Sequence, residues 1–279
     1  MTGDRQERKS PFSSAEDDRK SWEKVPVTPQ TSSPAYRLAF DDPDFLLREE
    51  LRPLRLQLEL LKPSMILDER GVESTVVVFG GARIPEPGKK PFRAATPQIA
   101  ENLEKKSIYY DQARGFARLA SEESMKHYGR EFVIVSGGGP GVMEAANRGA
   151  ADVGAASIGL NIVLQHEQAP NEFVTPELCF QFHYFAIRKM HFLMRAKALA
   201  CFPGGFGTMD ELFEALTLIQ TGKVEPMPII MFGEKFWRRV VDLDALADEG
   251  TISPDDIKLM TFVDSEVEGW EVVRKWYGL

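Results

Sequence analysis

The 279-residue sequence predicts an α/β fold: a doubly wound, mostly parallel sheet with helices on both faces and an N-terminal helical extension. Three observations carry this. Beyond Ser74, short β-rich runs alternate with amphipathic helical runs, the order that produces parallel strands joined by crossover helices. Several strand runs end in glycine turns, at Gly80-Gly81, at Gly137 to Gly141 and at Gly204 to Gly207, and in such sheets ligands bind outside the carboxyl ends of the strands, where the strand order reverses. Finally, 43% of the residues are hydrophobic, yet no apolar run comes near the roughly 18 residues of a membrane span, so the chain is expected to bury a full globular core.

Residues 1–40 hold six Ser, three Thr and four Pro among seven basic and six acidic residues, with no periodic apolar pattern, and are expected to form a disordered tail. They lack the apolar core of a secretory signal, and Asp4, Glu7, Glu16, Asp17 and Asp18 are too acidic for an organelle transit peptide, so a cytoplasmic location is expected. Deleting the tail is predicted to leave the fold and the activity intact; a large activity loss at unchanged melting temperature would show that it reaches the site. Residues 41–73 form a helical extension, because Phe45, Leu46, Leu51, Leu54, Leu58 and Leu61 recur at helical spacing, with Pro53 bending or restarting the helix. Residues 74–279 form the ligand-binding domain. Its strands are expected at 75–79, 132–135, 156–160, 198–202, 228–232 and 260–263, and its helices at 107–127, 142–151, 184–196, 208–220, 234–248 and 266–276.

The formal charge of −8 gives no general electrostatic reason to bind nucleic acid or an anionic membrane, so any phosphate must be held by local geometry. The two cysteines, Cys179 and Cys201, sit in apolar strand-like runs and read as small buried hydrophobes of a reduced protein. His127, His166, His183 and His191 share no ligand spacing, and no metal is expected.

The run Pro203-Gly204-Gly205-Phe206-Gly207-Thr208-Met209-Asp210-Glu211 follows an apolar strand and opens an amphipathic helix. Glycine turns at a helix start bring backbone N–H groups and the positive end of the helix dipole to one point, which suits a phosphate. A second such loop holds Gly137, Gly138, Gly139 and Gly141 before a helix starting at Val142. Neither loop has the Gly-Lys-Ser/Thr of a P-loop, and the second lacks both Gly-x-Gly-x-x-Gly spacing and an acidic residue after the next strand, which ends Gly159-Leu160-Asn161. Nucleotide hydrolysis of the P-loop kind and hydride transfer are therefore disfavoured. In the helix before the key strand, Arg188, His191 and Arg195 fall at i, i+3 and i+7 on one face, which reads either as a solvated face or as the cation of a site.

Arg188-Lys189 taken with Pro-Gly-Gly-x-Gly-Thr-x-x-Glu resembles the Lonely Guy family, cytokinin riboside 5′-monophosphate phosphoribohydrolases once labelled lysine decarboxylases; the resemblance covers roughly residues 74–265. Glu144 after Gly-Pro-Gly-Val-Met is similar to the longer bacterial branch. The resemblance implies a Rossmann-like nucleotide-binding domain and hydrolysis of the N-glycosidic bond of a purine nucleoside 5′-monophosphate, AMP or N6-prenylated AMP, to free base and ribose 5-phosphate, without a cofactor. It implies Arg188 and Glu211 as catalytic residues, and Glu167, Lys189, Gly204, Gly205, Phe206, Gly207, Thr208 and Thr217 as substrate contacts, with Gly138, Gly139 and Gly141 from the second loop. It also implies a homodimer or larger homo-oligomer, in keeping with the apolar stretch from Phe180 to Met194. Glu211 has a structural reading as well, since Thr208-x-x-Glu211 matches a capping box. The alternative function is a non-catalytic carrier or sensor binding a phosphorylated nucleotide or a pterin-like cofactor, and Schiff-base decarboxylation lacks a lysine in a suitable context.

Overall fold

The fold is known from a computed structural model, which describes residues 12–91, 94–164 and 169–279. The chain divides into two compact units, Met1–Leu58 and Glu59–Leu279. In the first, helix α1 (Ala15–Trp22) is capped by Ser14, whose hydroxyl accepts from the Asp17 N–H, and buries none of its residues. Within the expected disordered tail there is thus a helix held by local caps rather than by a core. Asp42 caps the short α2 (Pro43–Leu46) in the same way. Helix α3 (Arg52–Glu69) starts at Pro53's turn, where a missing N–H is harmless, and spans the division between the units.

The second unit is built on seven parallel strands: β1 (Thr75–Phe79), β2 (Val133–Ser136), β3 (Ser157–Ile162), β4 (Cys179–Phe182), β5 (Ala196–Cys201), β6 (Ile229–Phe232) and β7 (Met260–Val263). Between them run α4 (Pro97–Glu104), α5 (Ile108–Lys126), α6 (Val142–Ala151), α7 (Phe185–Leu193), α8 (Phe206–Gln220), α9 (Glu234–Val240) and α10 (Leu243–Asp248), and α11 (Glu266–Tyr277) follows β7. The strand order β4-β3-β2-β1-β5-β6-β7 reverses direction at the β1/β5 pair, where Phe79 lies in register with Cys201. This is the doubly wound sheet, and all of its pairings are parallel. Every residue of β1, β2, β3 and β6 is buried, because helices cover both faces.

On one face, Val76, Val78, Ile134, Ala200 and Phe232 pack with Tyr110, Phe116, Val142, Trp270 and Val273 of α5, α6 and α11. Phe116 meets Phe232 and Trp270 edge to face at 5.5 and 6.1 Å. On the other face the Phe79 ring meets Phe192 of α7 at 4.9 Å. The α3 residues of this unit brace α7: the Glu59 carboxylate accepts the N–H groups of His183 and Tyr184 at 2.9 and 3.1 Å, and Asp68 holds Arg195 at 2.8 Å. His191 is buried there too, with Nε2 3.2 Å from the Glu59 carbonyl, and burial pulls its pKa down. The predicted one-face set of Arg188, His191 and Arg195 is therefore divided: two members fasten α7 to α3 and one enters the site.

Three local departures from expectation have plain causes. Strand β4 is a four-residue strand at the sheet edge, and α4 is an eight-residue helix with Thr96 as N-cap and Pro97 in its first turn. The helix expected at 234–248 is broken into α9 and α10, because Asp242 caps a new start, accepting from the Ala245 N–H at 2.9 Å. No helix among the described residues is long and apolar enough to cross a membrane.

Candidate active site

The site lies at the carboxyl ends of β1, β2, β3 and β5, over the point where strand order reverses. It is a crevice of about 310 Å³ lined by Gly81, Gly137, Arg188, Gly207, Thr208 and Glu211, with apolar walls from Met143, Ile162, Leu164, Phe185 and Phe192.

The floor comes from the loop after β2. Ser136 ends that strand, its hydroxyl donating to Asn147 Oδ1 at 2.7 Å and accepting the Gly138 N–H at 3.0 Å. Asn147 Nδ2 donates to Ser157 Oγ at 3.0 Å, so α6 is keyed to β3. From the far side Asn171 Nδ2 donates to the carbonyls of Gly138 and Gly139 at 3.1 and 3.0 Å. Buried polar groups joined this completely fix a loop conformation. Ahead of it, the loop after β1 is tied down by Glu86, which pairs with Arg148 at 3.0 Å and Lys89 at 2.6 Å, and the buried Tyr110 hydroxyl donates to Glu144 at 2.7 Å.

Arg188 enters from α7 with only 13% of its side chain exposed. Its Nε donates to the Leu160 carbonyl at 2.7 Å and the guanidinium lies over the Phe192 ring at 5.1 Å. A Cβ at position 137 would stand 2.8 Å from Arg188 Nη2, so the glycine there makes room for the cation. The reading of Arg188 as part of a solvated face fails on this burial. Its Nη1 stands 3.9 Å from Glu211 Oε1, an ion pair without a close hydrogen bond.

Glu211 is 8% exposed, and its pKa is pushed up to about 7: burial raises it, Arg188 and Lys189 oppose, and Glu214 and Asp210 add to the rise. Arg188 thus does not keep Glu211 fully ionised, because desolvation outweighs a cation 3.9 Å away. The capping-box reading is overturned. Helix α8 begins at Phe206 with Gly205 as N-cap, so Thr208 and Glu211 both lie inside the helix. The first bond there is from the Met209 N–H to the Gly205 carbonyl at 3.0 Å, which leaves the amides of Phe206, Gly207 and Thr208 ahead of the helical ladder.

The structure brings Arg188, Glu211, Gly205, Gly207 and Thr208 together in the crevice. Gly204 and Phe206 line a neighbouring chamber, with Phe206 93% exposed. Gly138, Gly139 and Gly141 lie behind Gly137, shaping the loop. Lys189 is turned to α8, 2.8 Å from Asp210 and 3.0 Å from Glu214; burial works against its charge, but these hydrogen bonds prevail and hold its pKa above the ordinary value. Thr217 is exposed, its hydroxyl donating to the Phe213 carbonyl at 2.7 Å, and does not line the crevice. Glu167 lies outside the described residues. The sequence reading missed Ser136, Asn147 and Asn171, whose meeting depends on β2 and β3 being neighbours, and the apolar walls at Met143 and Phe192.

Among solved structures the chain is similar to the molybdenum cofactor binding protein from the phototrophic bacterium Rippkaea orientalis, at 17% identity over 74% of this chain and 98% of that one, with a TM-score of 0.47. It is also similar to the Moco carrier protein from Chlamydomonas reinhardtii, at 16% identity over 74% of this chain and 98% of that one, with a TM-score of 0.44. No curated protein matches the sequence. The family model described as "Possible lysine decarboxylase" matches residues 143–273, the stretch that carries Arg188, Glu211 and the glycine turn between them, and over that stretch the chain is similar to this family.

Proposed function

We propose that the crevice hydrolyses the N-glycosidic bond of a purine nucleoside 5′-monophosphate, AMP or N6-prenylated AMP, releasing the base and ribose 5-phosphate. The observation that carries this reading is a buried carboxyl group, Glu211, poised near neutrality beside a buried guanidinium under the open amides of a helix start. The 5′-phosphate is received by the turn from Gly205 to Thr208 and the start of α8. Anchoring that non-reacting group orients C1′ towards Glu211. Ionised Glu211 takes a proton from water as the water oxygen bonds to C1′; the C1′–N bond breaks with its electron pair leaving on the base, which takes a proton from solvent. Arg188, fixed by Leu160 and Phe192, orients the ribose phosphate and partly offsets the charge on Glu211.

The decarboxylase wording of the family description calls for a lysine joined to pyridoxal phosphate. Lys189 and Lys197 do not fit. Lys189 is held protonated between two carboxylates, and the Lys197 ammonium lies over the Tyr277 ring at 5.6 Å.

Incubation with AMP, GMP, CMP and isopentenyladenosine monophosphate, followed by chromatography, tests the proposal. Free purine base from at least one purine nucleotide is expected. Tight binding without base release would overturn hydrolysis in favour of a carrier. Because the base form of Glu211 is the active one and its pKa is about 7, kcat/KM is expected to rise about tenfold per pH unit below neutrality and to level off above it. A profile flat from pH 5.5 to 8 would remove Glu211 from that role. Self-association belongs to the same reading, since Phe185, Met190 and Met194 stay about half exposed along α7. A monomer by light scattering at micromolar concentration would overturn it.

A further inference from the structure

Across the Pro203–Gly205 turn from the crevice lies a second chamber of about 550 Å³, which shares only Gly81, Ala82 and Gly205 with it. Its walls are apolar: Ile84, Leu103, Met209 and Phe236, with Phe206 at the mouth. The size lies within the range of roughly 300–1,000 Å³ typical of small-molecule sites. Among the described residues two cations, Arg83 and Lys106, line it, and no acidic side chain does. Several other cations of the unit are matched with carboxylates, as Lys189 is with Asp210 and Glu214, Arg148 with Glu86, and Arg114 with Asp152. Arg83 and Lys106 are not: among the described residues neither forms an ion pair, and Lys106 Nζ donates only to the Asn102 carbonyl, at 2.9 Å. Burial, and then the like charge of Arg239, pull the Lys106 pKa down. Arg83 is exposed and Lys106 half-buried, and two cations without a carboxylate beside an apolar wall, in a chain of net charge −8, suit an anion.

We propose that this chamber is a second ligand site that takes a small organic anion with an apolar body, a medium-chain monocarboxylate in class, its carboxylate held by Lys106 and Arg83 and its hydrocarbon laid against Leu103, Met209 and Phe236. An inorganic anion would leave the apolar walls uncovered, and a neutral hydrocarbon would leave the cations uncompensated. Both features together select an amphipathic anion.

Octanoate, 1-octanol and acetate titrated calorimetrically into the full chain test this. Octanoate is expected to bind at least about tenfold tighter than octanol, with acetate weaker than both. Lys106→Gln and Arg83→Gln, each checked for an unchanged melting temperature, are expected to weaken octanoate about tenfold or more while leaving octanol unchanged. Arg188→Gln should leave octanoate affinity as it is, because Arg188 lines the crevice and not the chamber. Absent octanoate binding, equal affinity for octanol, or retained affinity in the Lys106→Gln/Arg83→Gln double variant would overturn the proposal. Loss of octanoate binding in a folded Arg188→Gln protein would do so as well, by placing the ligand in the crevice. None of these readouts uses nucleotide hydrolysis, so the site stands or falls apart from the proposed reaction.

Discussion

Glu211→Gln is expected to lower turnover of the purine nucleotide by about a hundredfold or more while nucleotide affinity is kept, because the change removes the proton acceptor and leaves the phosphate-binding turn untouched. The same variant has a stability signature that an exposed carboxyl group with an ordinary pKa would not give. The folded-state pKa of Glu211 is raised from 4.5 to about 7, so the folded protein holds a proton that the unfolded chain has released across that window. Stability is therefore lost as pH rises from 4.5 towards 7, and the loss is complete above it. Glutamine resembles the protonated acid at every pH. The variant should match the parent at pH 4 and be more stable at pH 8, by about 1–2 kcal/mol once solvent access to the crevice is allowed for. Melting temperature at the two pH values, AMP affinity and base release decide the matter. Near-normal hydrolysis would defeat the catalytic role; a variant less stable at pH 8 would defeat the account of the buried carboxyl.

The sheet and its order of helices were legible because parallel strands covered on both faces are continuous apolar runs: Thr75–Phe79 falls where its composition puts it. Strand β4 was not among the expected strands although Cys179 was read in an apolar strand-like run, for four residues at the sheet edge are too few to establish a period. The start of α8 was placed two residues late for a physical reason. Gly207 disfavours helix by its conformational freedom and Thr208 has the chemistry of a cap, yet the turn enters the helix at Phe206. That shift is what separates a capping Glu211 from a buried one. Arg188 and Glu211 were nameable through their resemblance to a family motif, but their charge state was not. A raised carboxyl pKa depends first on burial beside the apolar wall from Phe185 and Phe192, which only the fold assembles, while Asp210 and Glu214, neighbours of Glu211 on α8 itself, add to the rise. The Ser136–Asn147–Asn171 network was likewise hidden, since each residue alone is an ordinary turn or helix residue.

Gly141→Ala is expected to destabilise the protein by about 2–4 kcal/mol, a fall in melting temperature of roughly 5–15 °C, and to lower activity by disturbing the crevice floor. Two independent effects add at this residue. Its backbone has φ +70 and ψ −129, a region open to glycine and strained for any L side chain. A Cβ there would also stand 2.5 Å from the Gly81 carbonyl oxygen and 2.9 Å from Ala82, backbone atoms that cannot swing aside as a flexible side chain could. The contact is with the loop after β1, so relief of the clash pushes Gly81 and Ala82, which line the crevice, away from the start of α6. Gly205→Ala is the matched control: φ is −99 and nothing lies within 4 Å of the added carbon, so its melting temperature should stay within a few degrees of the parent. Thermal unfolding of the two variants side by side checks the argument. Equal melting temperatures would mean that the close approach of the β1 and β2 loops does not hold the floor of the site.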